Sequence, residues 1–256
     1  MPAMRRLSAT ACFACRRAIP ALALAGGVAA VHADPADYVF VPYTTAGQRI
    51  LAYGSGFERD RDGSHVNQQT LTVGASPTER WSTSLYAGWV DEGGTGYGYD
   101  EAAWLNQWQL TAPDSGPVAV GLLCEIERPR DRSAGTGLLC GSTLQFDSSL
   151  WQVNVNPLLE HHFNAADPEP TAFRYQWQVK RLMGRGFELG AQGFGELGPW
   201  NHWAPAAQQS HILGPAVFLK GHGLGGQPLS FDAALLLGAG GGSPHDVLRA
   251  RLQQSF

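Results

Sequence analysis

The chain has 256 residues, of which 44% are hydrophobic and 16% charged, a balance too apolar for a disordered chain and too polar for a bundle of membrane-spanning helices. Its 32 glycines follow no three-residue period, which excludes collagen and fits a β-rich chain with many turns and close backbone approaches. A net charge of -4 and the lack of any Lys/Arg cluster beyond the first twenty residues exclude a nucleic-acid partner, which needs a basic face.

In chain order, residues 1–33 read as a cleaved signal peptide. Arg5, Arg6, Arg16 and Arg17 precede an apolar run from Ala18 to Val31, and Val31-His32-Ala33 places small residues where a signal peptidase reads. The run falls short of the roughly 20 apolar residues that a spanning helix needs. Cys12 and Cys15 lie upstream of it and leave with the signal. The remaining chain, from Asp34, carries 14 Lys+Arg against 22 Asp+Glu, a net -8. Residues 34–47 have no strand period and are expected to form a periplasmic lead or partial plug.

From residue 48 onward alternation of period two recurs, the mark of strands with two different faces. Trp81, Thr83, Leu85, Ala87 and Trp89 share one side, and Val118, Val120, Leu122, Cys124 and Ile126 repeat the pattern. Phe173, Tyr175, Trp177 and Val179 alternate with Arg174, Gln176, Gln178 and Lys180, and Leu229, Phe231, Ala233, Leu235 and Leu237 with Ser230 and Asp232. The alternation predicts twelve strands near 48–59, 67–75, 81–89, 104–110, 118–127, 138–146, 151–162, 173–181, 186–197, 212–220, 229–238 and 247–256. Most match the ~9–11 residues with which a tilted strand crosses a bilayer, and the fourth reads short.

The connections alternate in kind. Ser76-Pro77-Thr78-Glu79, Asp147-Ser148-Ser149-Leu150 and Leu182-Met183-Gly184-Arg185 are tight turns, whereas 91–103, 129–137, 164–172 and 198–211 are long and rich in Gly, Pro, Asp and Asn. Short periplasmic turns and longer extracellular loops are the asymmetry of an outer-membrane antiparallel β-barrel, and an even strand number returns both ends to one side. Trp81, Trp89, Trp104, Trp108, Trp151 and Trp177 take the apolar parity near strand ends, where an aromatic girdle belongs. The polar parity carries Glu125, Glu127, Glu160, Arg174, Lys180, Glu188, Gln192, Glu196, Arg249 and Arg251, the expected lining of a wet lumen.

The last strand, Val247 to Phe256, puts Leu248, Ala250, Leu252 and the terminal Phe256 on one parity. It resembles the C-terminal strand that the barrel-insertion machinery reads in bacterial outer-membrane proteins. The mature chain as a whole resembles proteobacterial outer-membrane barrels of the MetA type, encoded alongside phenol-degradation genes. The stretches that carry the likeness are Leu122 to Asp131 (LLCEIERPRD), Phe173 to Gly198 and Gln209 to Gly221. The resemblance implies an outer-membrane location, a lipid environment and uptake of small, apolar or aromatic solutes, and it supplies no catalytic residues to carry over.

Candidate chemistry is sparse. Glu125 and Glu127 are two apart and share a face, as an acid and base pair or as charged lining paired with Arg174, Lys180, Arg249 or Arg251. His161 and His162 are adjacent and face opposite ways in a strand, so they cannot chelate one metal; no metal or cofactor is expected. Ser210-His211 and Ser243-Pro244-His245-Asp246 are the material for a rim hydrolase, without a distinguishing motif. The run from Gly238 to Gly242 opens no helix and reads as loop. Cys124 and Cys140 lie at equal distances from Arg132, so a symmetric hairpin makes them direct cross-strand partners, close enough for a disulfide. Three functions therefore stand: a channel or transporter for small solutes, a structural or interaction barrel with a side-chain-filled lumen, and a rim hydrolase.

Overall fold

The computed structural model describes residues 34–112, 116–184 and 186–256; the signal peptide expected over 1–33 lies outside the described residues. Twelve strands follow one another: β1 (Arg49–Arg59), β2 (His65–Thr78), β3 (Trp81–Glu92), β4 (Gly98–Gln109), β5 (Val118–Pro129), β6 (Thr136–Asp147), β7 (Trp151–Phe163), β8 (Ala172–Arg181), β9 (Phe187–Pro199), β10 (Ser210–His222), β11 (Pro228–Gly238) and β12 (Asp246–Ser255). Each pairs antiparallel with its sequence neighbours, and β12 closes onto β1. At the seam Phe256 and Arg49 exchange backbone hydrogen bonds of 2.9 and 3.0 Å, so no sheet edge is left open. In hydrocarbon, where water cannot satisfy backbone groups, only such closure suffices for a sheet.

Alternation decides which face is which. Leu51, Tyr53, Leu85, Leu122, Ile126, Leu159, Leu189, Leu213, Leu235, Leu248 and Leu252 point outward and are well exposed. The buried polar groups Gln68, Thr72, Glu101, Glu125, Gln145, Asn154, Gln176, Gln178, Gln192 and Arg249 point inward. This apolar-out, polar-in arrangement inverts that of a water-soluble barrel.

The fourth strand is not short. It begins at Gly98, and Gly98, Tyr99 and Glu101 pair with Val90, Trp89 and Gly88 across a β-bulge. At the rim, backbone pairing continues where side chains no longer need an apolar side, so the alternation that marks a strand fades before the strand ends. For the same reason the loop expected over 91–103 contracts to 93–97 and that over 198–211 to 200–209. These connections, with 60–64, 130–135, 164–171 and 239–245, form the loop rim; 79–80, 148–150 and 223–227 lie at the opposite, turn rim with both ends of the barrel.

All six strand tryptophans keep the outward parity, but only four stand near strand ends. Trp81 faces Trp108 at the turn rim, Trp151 opens β7 there, and Trp89 pairs with Tyr99 near the loop rim. Trp104 and Trp177 sit in mid-strand, which corrects the expectation of a girdle made of all six. Trp104 donates from Nε1 to Thr83 Oγ1 at 2.8 Å, and Trp177 lies over Gly193, where a Cβ would stand 2.4 Å from its Nε1. Cys124 and Cys140 are opposed in the β5–β6 register and form a disulfide, with Cα atoms 4.2 Å apart.

Candidate functional site

The candidate site is the barrel lumen, and much of it is occupied by residues 34–47 of the same chain. This segment enters at the loop rim and descends along the inner wall to the turn rim. Its seat is built into β1: a Cβ on Gly56 would stand 2.1 Å from the Pro35 carbonyl carbon, and one on Gly54 would meet Thr70 and the Ala36 carbonyl. Only glycine permits that approach. Lumen-facing amides then satisfy the segment's backbone. Ala36 N–H donates to Gln68 Oε1 (3.0 Å), Phe40 N–H to Gln176 Oε1 (3.3 Å) and Thr44 N–H to Gln109 Oε1 (3.1 Å), while Asn156 Nδ2 donates to the Phe40 carbonyl (3.0 Å).

The segment's apolar side chains are held from two sides. Val39 packs with Phe194, Ile212, Ala216, Phe218, Ala234, Leu236 and Val247 from β9 to β12. Phe40 packs with Leu105, Leu123 and Leu158 from β4, β5 and β7. Both are buried, at 7% and 6% exposure, and each such burial is worth about 1.5–3 kcal/mol. These lumen-facing leucines and phenylalanines lie outside the polar lining expected from the sequence. The signal was present, since Leu123, Leu158, Phe194, Phe218 and Leu236 all stand on the polar parity of their strands, where a water-filled channel has no use for them.

The segment divides the remaining space in two. Toward the loop rim a small cavity of about 50 Å³ is lined by Asp34, Asp37, Glu101, Glu125, Glu127, Glu160 and Arg174, with Tyr86 and Gln68. Arg174 is its hub, bonding Glu160 Oε2 at 3.0 Å and Asp37 Oδ2 of the segment at 3.1 Å. His162 adds a contact of 3.4 Å to Glu160. Toward the turn rim a cavity of about 280 Å³ lies among Tyr38, Lys180, Gln192, Phe218, Asp232 and Arg251. A chain of hydrogen bonds runs along the inner face of the strands beside it: Asn154 to Gln145 (2.8 Å), Gln178 to Asn154 (2.9 Å), Gln192 to Gln178 (3.1 Å), and Arg249 to both Gln192 and Asp232, the latter at 2.7 Å. Buried amides require such partners.

All ten expected lining residues thus face inward, but the pairing differs from expectation. Glu160 with Arg174 is the one carboxylate pair formed among them; Glu125 and Glu127 form no ion pair with any described residue. Glu188 pairs instead with Lys220 at 3.0 Å, and Arg249 with Asp232. Glu196 is opposite Arg174 in the β8–β9 register. Strand parity selects the face, whereas the height along the barrel selects the partner, and Glu125 and Glu127 share their level mainly with other acids.

At the loop rim the serines and histidines offered for hydrolysis are committed elsewhere. Ser243 Oγ donates to the His211 carbonyl (3.0 Å) and accepts from the His211 N–H (2.8 Å), and the His211 ring bonds Tyr175 OH at 2.7 Å. His245 lies 3.5 Å from Asp246, whose carboxylate is held by Arg59 at 2.7 Å. His161 points outward onto Phe163 and His162 inward, as adjacency requires. Among the described residues no group of three or more His, Cys, Asp or Glu could hold a metal. In the loops, Ser64 and Ser133 donate N–H and hydroxyl hydrogen bonds to Asp62 and Asp131 and hold both carboxyls below the usual range, which stiffens these turns.

No family model matches the chain, and no curated protein matches it. Solved structures do share its fold. The chain is similar to the COG4313 outer membrane channel from Pseudomonas putida F1, with a TM-score of 0.61 at 11% identity over 88% of this chain and 100% of that one. It is similar also to the KdgM porin, solved in complex with disordered oligogalacturonate, with a TM-score of 0.54 at 7% identity over 81% of this chain and 99% of that one. The shared architecture is the closed outer-membrane-type barrel.

Proposed function

We propose that the chain is an outer-membrane channel for small hydrophilic solutes, closed at rest by its own residues 34–47. The observation that carries this reading is the seat itself: a lumen lined by carboxylate, guanidinium and amide groups, in a barrel with a lipid-facing exterior, that opens only where the segment is not. The exposed outward leucines and aromatics fit contact with outer-membrane lipid, and Phe256 at the end of β12 fits recognition by the barrel-insertion machinery. The fold shared with a channel and a porin supports the same direction.

The narrower reading, a MetA-type transporter of apolar or aromatic solutes, finds its apolar wall groups mostly at the seats of Val39 and Phe40, covered while the segment is in place, with Phe218 also bordering the turn-rim cavity. The open space beside the segment is lined by charged and amide groups as well as by rings, and the charged groups favour hydrophilic solutes. The second reading, a structural barrel with a filled lumen, draws on the same inserted segment. The test is planar-bilayer conductance of the refolded Val39→Ser/Phe40→Ser protein, in which the segment is released, beside a variant of that same protein carrying Glu125→Gln/Glu127→Gln as well. Steady conductance whose cation preference falls in the variant is expected. Silence from a folded barrel, including variants with the segment released, would favour the structural reading.

A further inference from the structure

The inward-facing cations of this barrel fall into two groups. Arg174, Arg249 and Lys220 each have a carboxylate partner, at 3.0, 2.7 and 3.0 Å. Lys180 and Arg251 have none among the described residues. Each rests instead on an aromatic ring: Lys180 Nζ lies 4.3 Å from the centre of Phe218, and the Arg251 guanidinium 3.6 Å from the centre of Tyr38. Both line the same cavity at the turn rim. The carboxylate there, Asp232, is already bonded to Arg249.

Two cations held in a space walled by a low-dielectric barrel, with the nearby acids Asp232 and Glu188 already engaged by Arg249 and Lys220, attract an anion. The cavity also presents the hydroxyls of Ser82, Ser84 and Ser230. Its volume of about 280 Å³ is many times the ~30 Å³ share of one water, room enough for a small organic anion. The rings of Phe218 and Tyr38, on which these cations rest, border the cavity and present apolar edges beside the charges. We infer that this cavity is a binding site for a small organic carboxylate, whose carboxylate meets Lys180 and Arg251 while its apolar body lies against Phe218 and Tyr38. Tyr38 belongs to the inserted segment, so the occupied site includes the segment as one wall. The site needs the closed lumen and not conduction, so its failure and the failure of the channel reading are separable.

The test is isothermal titration of the full-length protein in detergent with hexanoate, beside 1-hexanol as a neutral analogue of the same shape. Saturable binding of hexanoate is expected, with Lys180→Gln and Arg251→Gln each weakening it by about tenfold or more, as loss of a charge-assisted contact implies. Lys180→Arg, which keeps the charge, is expected to bind within a few-fold of the parent. Retention of the heat-modifiable gel shift shows that each variant is folded. The proposal is overturned if the parent shows no saturable hexanoate binding, if hexanol binds as tightly, or if both charge-removing variants bind as the parent does. It is overturned equally if chloride displaces hexanoate with comparable affinity, which would make the site one for inorganic anions.

Discussion

The inserted segment offers a perturbation whose size follows from the packing. Val39 and Phe40 are buried against opposite walls of the lumen, at 7% and 6% exposure. Replacing both with serine removes about 1.5–3 kcal/mol each of apolar burial, or about 3–6 kcal/mol together. That energy favours the seated over the released segment, and at 1.4 kcal/mol per factor of ten its loss shifts the equilibrium toward release by about 10² to 10⁴. The wall leucines and phenylalanines remain, and so does the barrel's hydrogen-bonded sheet. Val39→Ser/Phe40→Ser is therefore expected to fold as the parent does but to show sustained openings in a planar bilayer, where the parent dwells closed. The reasoning fails if the folded variant and the parent are indistinguishable. Both open would mean that the segment does not close the lumen; both silent would mean that something other than the segment does.

Two further variants probe the same structure by different routes. Gly56→Leu places a side chain where Pro35 lies, with its Cβ 2.1 Å from the Pro35 carbonyl carbon, so it should also displace the segment, read out as proteolytic sensitivity of residues 34–47 in the otherwise protected barrel; unchanged protection would refute the close approach. Cys124→Ser/Cys140→Ser removes the cross-strand bond, whose sequence separation of 16 corresponds to about 3 kcal/mol in the chain-entropy account, and a lower unfolding midpoint with unchanged strand content by circular dichroism is the expected result.

How much of this was legible in the sequence differs sharply between wall and contents. The parity of Trp81 to Trp89, of Val118 to Ile126 and of Phe173 to Lys180 is set residue by residue, because successive side chains on a strand must face opposite ways. Cys124 and Cys140 could be paired on paper because a hairpin is local and its register follows from its loop. Where the alternation faded, at 98–103, the strand was lost to view although its backbone pairing continued.

The ion pairs depend on something that no local pattern holds. Arg174 and Asp37 are 137 residues apart, and only the shear and closure of twelve strands bring them to one level of the lumen. Residues 34–47 show why a segment without a period resists such reading: its conformation is dictated by Gly54 and Gly56 on one wall and by leucines and phenylalanines on two others. The sequence by itself determined the number of strands, their faces and the hairpin disulfide, all consequences of nearest-neighbour geometry. Which acid meets which base, and where residues 34–47 are seated in the lumen, were decided by tertiary structure, because packing inside a closed barrel is a relation among all its strands at once.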